Sequence, residues 1–256
     1  MARTLASIAL KIERAEEHLR DLQTRGEAWA KTQTVQIVHE HDTQTGWHKL
    51  RAQPLPDPPS QWVVIFGEFG YQLRSALNFA VEGLVLVNHQ LPSKSNQFPI
   101  YSDRKQAIDD GGMKRCLVGV AADPARIIDA IQPYHRPDRL DLDALEVVAL
   151  SANQDKHHDL HVSGVVLLPA GWQIDFGEPA TVSEISMIHA LQPIGDAQIA
   201  ALRVIPAEKP FPNMKMDRAP TVDVAFSNGH SVPLGRLPAI VLTVKGVVDL
   251  LRPFLT

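Results

Sequence analysis

The sequence predicts an α+β protein with a helical core, in which long N-terminal, central and C-terminal helices pack with a mostly antiparallel β-sheet. Three observations support this prediction. Apolar residues recur at alternating spacings of three and four near both ends of the chain, and residues 62–87 are apolar around most of a helical circumference. From residue 160 onwards, β-branched and alternating patterns replace the helical ones, which indicates strands.

The first elements are a helix and a β-hairpin. The N-terminal apolar stripe runs from Leu5 to Leu22, and we expect its helix to end near Gly26. Residues 34–41 and 47–52 alternate in the manner of strands, and the residues between them are typical of a turn. Prolines between residues 54 and 59 then form an extended connector, after which Ser60 is a suitable N-cap for the next helix.

The central helix spans residues 62–87 and is expected to be buried on both sides. Its Gly67 and Gly70 have no Cβ, so they favour the close approach of another helix. Further along, a short helix is predicted with Asp123 as its N-cap and Pro124 in its first turn. A longer helix from about residue 141 to 157 follows, because apolar residues again recur at helical spacing.

The second half of the chain is predicted to be mostly strands. Residues 160–168, 172–176 and 222–226 have strand patterns, and the last run precedes an Asn228-Gly229 turn. The segment 179–217 is rich in Pro and Gly, and within it only residues 199–205 predict a strand. A last apolar stripe, from Leu237 to Leu255, predicts a closing helix of about five turns.

These elements predict a single α+β unit. Its helical part covers about residues 1–30, 60–158 and 235–256, and its β part covers about residues 33–52 and 160–232. The two terminal helices have complementary stripes, so they are expected either to pack in one bundle or to form a homodimer.

Composition narrows the class of protein. The 256 residues are 45% hydrophobic, which is enough for a full core without a cofactor or metal. The single cysteine, Cys116, excludes an intramolecular disulfide and favours a reducing compartment, so we expect a cytoplasmic protein. Charged residues interrupt every apolar run, so no membrane span is expected. The net charge of -4 provides no general attraction to nucleic acid.

Polar residues cross the apolar central helix in one line, which we call the Arg74 stripe: Tyr71, Arg74, Asn78 and Glu82. Their spacings of three and four place these side chains on one side of a helix. A buried guanidinium needs a partner, because an unpaired buried charge is strongly unfavourable. The stripe is therefore expected to belong to a polar network between helices or to a functional site.

The helix that ends near residue 157 provides partners for this stripe. Asp155 is the anionic candidate for Arg74, and Asn153 and His157 project from one face of the same helix. We expect the two helices to cross with their polar faces together. If the site is catalytic, Arg74 would stabilise a developing negative charge and His157 would act as the acid or base.

A metal site is the alternative reading of the histidine-rich junction, with His157, His158, Asp159 and His161 as ligands, because imidazole and carboxylate groups bind zinc. The spacing matches no established motif, so the preferred interpretation is a solvated junction between a helix and a strand. His39 and His41 share one side of the first strand, where a half-exposed face of the hairpin is expected. The chain lacks a phosphate-binding Gly loop, a Gly-x-Ser-x-Gly elbow and a His-Glu-x-x-His pair, so an enzymatic activity stays undecided.

Four segments carry a resemblance to known proteins. They are residues 73–78 (Leu-Arg-Ser-Ala-Leu-Asn), 97–100, 131–134 and 153–157. With these segments the chain resembles a widespread family of uncharacterised bacterial proteins over most of its length. In that family the first segment typically reads Leu-Arg-Ser-Ala-Leu-Asp-His and the last ends in Asp-Lys-His. The family resemblance implies no particular activity.

The Arg and His of that family motif have the separation used by HEPN-type helical domains, many of which are metal-independent ribonucleases in toxin and defence systems. In this chain Phe79 stands where the motif has His, and Asn78 stands where it has Asp. The resemblance therefore implies a degenerate member, unless His157 takes the place of the missing histidine.

Three functions follow from these observations. A noncatalytic binding or scaffold protein is favoured, because no catalytic motif is complete. The alternative is a HEPN-like RNA-binding or ribonuclease module, which would be a dimer with RNA as its partner. A metal-dependent hydrolase at residues 157–161 is the third.

Overall fold

The computed structural model describes residues 2–34, 36–53, 55–137, 142–157, 161–167, 172–175, 181–187, 197–208, 213–216, 219–225 and 230–256. Its α-helices are α1 (Ala2–Thr32), α2 (Trp62–Val87), α3 (Gly112–Cys116), α4 (Ala122–Ala130), α5 (Ala144–His157) and α6 (Leu237–Leu251). Its strands are β1 (Ile37–Asp42), β2 (Trp47–Ala52), β3 (His161–Leu167), β4 (Trp172–Asp175), β5 (Thr181–Met187), β6 (Ala197–Ile205), β7 (Asn213–Met216), β8 (Ala219–Ala225) and β9 (Ser231–Pro233). The predicted α+β class is confirmed.

The chain divides into two compact units. The helical unit contains residues 1–23, 60–161 and 225–256, and the β unit contains residues 24–59 and 162–224. These bounds resemble the helical and β parts expected from the sequence, although the sequence predicted one continuous unit. Whether both parts behave as one domain in solution stays a prediction.

The β unit contains a four-stranded sheet in the order β1-β2-β6-β5, and all three of its strand pairs are antiparallel. β4 and β7 form a separate antiparallel pair, and β3 lies beside β8. β1 and β2 form the predicted hairpin. Gly46 closes its turn with a φ of 75° and donates its N–H to the Asp42 carbonyl at 2.8 Å.

The helical unit is built around α2. Phe66, Phe69, Leu73 and Leu77 on this helix are at most 1% exposed, and this face forms the centre of the core. The opposite face is not buried as predicted, since Val64 is 57% exposed and Leu86 is 48% exposed. A protein surface normally contains many apolar atoms, so an apolar residue does not by itself indicate burial.

Gly70 permits α5 to approach α2 closely, as the sequence predicted. A Cβ at Gly70 would overlap the Cβ and Oγ of Ser151 on α5. The start of α5 is fixed by a reciprocal cap, in which the Asp143 carboxylate accepts the Leu145 N–H at 2.9 Å and Glu146 accepts the Asp143 N–H at 2.7 Å. The two helices that carry the predicted network are therefore neighbours.

Several predicted element ends are wrong. The first helix continues past Gly26 to Thr32, because a single Gly costs only about 1 kcal/mol relative to Ala. Ser60 is not the N-cap of α2, which starts after Gln61 without a side-chain cap. Asp123 lies inside the first turn of α4, where a carboxylate still favours the helix dipole.

The C-terminal helix and the strands show smaller differences. The α-helix α6 ends at Leu251 and continues as a 3₁₀ turn over residues 252–254. The weakly patterned segment 179–217 contains β5 and β7 in addition to the strand predicted at 199–205, which is β6. The predicted Asn228-Gly229 turn lies outside the described residues. No helix in the described part of the chain combines the length and apolar character needed to cross a bilayer.

Candidate functional site

α2 presents the Arg74 stripe to more than one environment. Arg74, Asn78 and Glu82 are half-buried, whereas Tyr71 is 45% exposed. The ring of Tyr71 faces the Lys11 ammonium of α1, with 5.6 Å between Nζ and the ring centroid. The stripe therefore runs from the surface at Tyr71 towards an enclosed position at Arg74.

Arg74 has an unusual environment for a charged side chain. Its Nη1 atom is buried and has no hydrogen-bond partner among the described residues. Burial lowers the pKa of the guanidinium, and the nearby Cys116 and Tyr101 act in the opposite direction. The described surroundings thus contain a thiol and a phenol where a carboxylate would be expected.

Cys116 is the centre of this cluster, which we call the Arg74 cluster: Arg74, Gln97, Tyr101 and Cys116. The Gln97 Nε2 donates towards the Cys116 Sγ at 3.8 Å, and the Tyr101 hydroxyl lies 3.8 Å from the same sulfur. Sulfur is a weak hydrogen-bond acceptor. Burial and the bond to Cys116 raise the pKa of the Tyr101 phenol, so the hydroxyl keeps its proton.

The segment that carries Gln97 and Tyr101 is anchored at several points. Asn78 on α2 accepts the Phe98 N–H at 2.9 Å. The fully buried Gln132 accepts the Tyr101 N–H at 3.1 Å and donates to the Pro99 carbonyl at 3.0 Å. These bonds hold an otherwise irregular segment against α2, and they position the Tyr101 hydroxyl beside Cys116.

Sequence reasoning missed three members of this cluster. Gln97 stands in one of the segments that carry the family resemblance, and Tyr101 directly follows it, so the motif was a usable signal. Cys116 lies in an apolar stretch and is 5% exposed, which agrees with a buried small side chain. Its donor neighbours Gln97 and Tyr101 stand 19 and 15 positions earlier in the chain, a separation at which no helical or strand periodicity relates them to Cys116.

The predicted partners of Arg74 on α5 lie at the end of that helix. Asn153, Asp155 and His157 belong to α5, but their side chains lie outside the described part of the structure. The network that joins them to Arg74, and the acid–base role of His157, therefore stay predictions. A described contact to α5 lies near the start of that helix. There the hydroxyl of Ser102, the residue after Tyr101, donates a hydrogen bond to the Glu146 carboxylate.

The metal alternative falls largely outside the described residues as well. His158 and Asp159 are not described, and only the backbone of His157 and His161 is. Within the described residues, no group of three or more His, Cys, Asp or Glu side chains is arranged to hold a metal ion. The proposed ligands at residues 157–161 stay a prediction.

The β unit contains a second polar cluster, formed by His39, His41 and His48. His39 and His41 are half-buried, and His48, opposite His41 in the hairpin, is 0% exposed. His39 Nε2 lies 3.0 Å from His48 Nδ1, and the His41 and His48 rings stack with 3.9 Å between centroids. His41 Nε2 donates to the Ala207 carbonyl at 2.8 Å. Burial, followed by the two neighbouring imidazoles, lowers the pKa of His48 to about 4.

The terminal helices α1 and α6 lie on either side of a cavity of about 450 Å³ in the helical unit. Lys245 of α6 donates to Glu16 of α1 across it. The structure thus shows the two helices within one bundle. Self-association through either helix stays a prediction.

Comparison with known proteins provides no relative for this site. No protein family model, no curated protein and no solved structure matches the chain. The family and HEPN resemblances accordingly stay predictions, and the chemistry of the Arg74 cluster has to be inferred from its own geometry.

Proposed function

We propose that this chain is a noncatalytic binding protein and that the Arg74 cluster forms its ligand site. The observation that supports the proposal most directly is the enclosed Nη1 of Arg74, which has no partner among the described residues. A buried polar group without a partner is rare, and an absent ligand is one of its ordinary explanations.

The composition of the cluster supports binding over catalysis. The described groups around Arg74 are an amide, a phenol and a thiol, and none of them is paired with a general base. Nucleophilic or acid–base catalysis requires a base within hydrogen-bonding reach of the group that reacts. The single cysteine favours a reducing, cytoplasmic compartment for this binding function.

The test is a search for turnover with matched variants. Single-stranded RNA and a phosphate monoester are incubated with the purified chain, with Arg74→Ala, and with Arg104→Ala, which removes an exposed charge nearby. We expect no product above the background of the buffer with any of the three proteins. Turnover by the wild type that is lost in Arg74→Ala and kept in Arg104→Ala, with the circular dichroism spectrum unchanged, would overturn the proposal.

The HEPN-like alternative is tested in the same assay with one further variant, His157→Ala. RNA cleavage that depends on both Arg74 and His157 would support a ribonuclease. Phe79 is half-buried at the motif position for histidine and has no acid–base chemistry to offer. The metal-dependent hydrolase would require a stoichiometric ion, which a metal-content measurement on the purified protein detects directly.

A further inference from the structure

We infer that the ligand of the Arg74 cluster is a small oxyanion, a carboxylate or phosphate group, held by Arg74 together with Tyr101 and Gln97. This inference rests on the proposed binding function and adds the chemical class of the ligand. It follows from the kinds of polar groups that meet in the cluster, from the lack of a counterion for Arg74 among the described residues, and from the way these groups are held.

The first step concerns donors and acceptors. A guanidinium has five N–H donors and no acceptor, and the Gln97 amide nitrogen and the Tyr101 hydroxyl are also donors. In the described part of the chain both of these reach only the Cys116 sulfur, at 3.8 Å each. Three donors therefore surround one weak acceptor, and the group that would satisfy all of them is rich in oxygen acceptors.

The second step concerns charge. Among the described residues the Nη1 of Arg74 is enclosed without a hydrogen-bond partner, and the neighbours that act on its charge are Cys116 and Tyr101 and no carboxylate. Burial also lowers the pKa of this guanidinium. A half-buried cation without a counterion is unfavourable, and an anionic ligand would reduce that penalty. Arginine binds carboxylate and phosphate groups through two parallel N–H···O bonds.

The third step concerns the position of the donors before any ligand binds. Asn78 and Gln132 fix the segment from Phe98 to Tyr101 by hydrogen bonds of 2.9 to 3.1 Å. Gly112 lies under the Tyr101 hydroxyl, and a Cβ there would come within 2.5 Å of the phenolic oxygen. Donors that are held in place by such contacts lose little entropy on binding.

The size of the ligand follows from exposure. Gln97 is exposed, whereas Cys116 is 5% exposed and Arg74 is half-buried, so the cluster meets solvent at Gln97. Access to solvent at one side chain favours a small ligand with a single charged group over an extended polyanion. The net charge of -4 for the whole chain also disfavours a long anionic chain such as RNA.

The experiment titrates inorganic phosphate and, separately, acetate into the whole chain at constant ionic strength maintained with sodium chloride. Binding is followed by the melting temperature and by the NMR signal of the Arg74 side-chain Nε–H. We expect at least one of the two anions to give a saturable rise in melting temperature and a saturable NMR shift. The arm that saturates at the lower concentration identifies phosphate or carboxylate as the preferred group.

Variants show whether the Arg74 cluster is responsible. We expect Arg74→Met to lose saturable binding, with an affinity at least tenfold weaker, and Tyr101→Phe to weaken binding several-fold. Arg104→Gln, which removes an exposed charge outside the cluster, should leave affinity unchanged. Equal losses in Arg74→Met and Arg104→Gln would indicate general electrostatic attraction and would overturn the inference, as would saturation by neither anion.

The stability of the ligand-free variant provides a second readout. If Arg74 awaits a ligand, Arg74→Met should melt at the same temperature as the wild type or higher without added anion, because it removes a half-buried charge that has no partner in the described part of the chain. A large loss of stability would instead show that Arg74 is already paired within the chain, and it would contradict the inference. If neither anion binds and no turnover is found, only the inferred ligand class is refuted. If turnover is found and depends on Arg74, the proposed noncatalytic function is refuted.

Discussion

The stability of the β unit should fall between pH 7 and pH 5 because of His48. The side chain is 0% exposed and its pKa is lowered to about 4, compared with an ordinary value of 6.5. Above pH 6.5 this histidine is neutral whether the chain is folded or unfolded, so it imposes no penalty. As the pH falls from 6.5 towards 4, only the unfolded chain takes up the proton, and unfolding becomes more favourable.

The size of the effect follows from these two pKa values. At pH 5 the proton favours the unfolded state by a factor of about 30, which corresponds to about 2 kcal/mol. At pH 7 the same factor is close to one. The groups that face His48 in the described part of the hairpin are His39 and His41, and the paired residue on β6 is Leu202. Burial also lowers the pKa of His39, which adds to the effect in the same direction.

The measurement is urea-induced unfolding at pH 7, 6 and 5, followed by tryptophan fluorescence, for the wild type and for His48→Gln. The glutamine amide does not titrate in this range. The fall in the free energy of unfolding between pH 7 and pH 5 should therefore be about 2 kcal/mol smaller in this variant than in the wild type. His89→Asn, at an exposed histidine with a φ of 55° that asparagine tolerates, serves as the control and should keep it. An unchanged pH dependence in His48→Gln, or an NMR titration of the His48 ring near pH 6.5, would refute the reasoning.

Two further predictions concern the helical unit. Gly70→Ala should destabilise the protein by about 1–3 kcal/mol, because the new methyl group overlaps Ser151, whereas Gly246→Ala has open space and should stabilise it by about 0.5–1 kcal/mol. Equal effects in urea unfolding would contradict the close contact at Gly70. Asn78→Ala should cost about 1–3 kcal/mol by leaving the Phe98 N–H without its acceptor, whereas Asn78→Asp retains an acceptor and should cost much less. The same melting temperature for both Asn78 variants would argue against this bond.

The helical elements could be predicted because their signals lie within each element. α2 spans residues 62–87, the range expected from its apolar run, and α5 ends at the predicted His157. The strand β5 was missed for a physical reason. Its pairing with β6 shifts register between Val182 and Glu184, and such a bulge disrupts the alternation that identifies a strand.

The candidate site could be predicted only in part. Arg74 and Asn78 stand out in the sequence because they are polar residues in an apolar helix. Their described neighbours come from segments between 20 positions (Phe98 from Asn78) and 42 positions (Cys116 from Arg74) further along the chain, and no periodic pattern relates segments so far apart. Sequence reasoning therefore chose a carboxylate at the end of a later helix, Asp155, and did not consider the thiol of Cys116 as a neighbour of Arg74.

The position of Cys116 has a practical consequence for measuring motion in this region. It is the single thiol of the chain, so a thiol reagent can react with the protein at no other place. Because the residue is only 5% exposed, its rate of modification should follow the frequency with which the surrounding structure opens. The natural protein therefore already contains a chemical probe of local opening beside Arg74, and no cysteine has to be introduced or removed to use it.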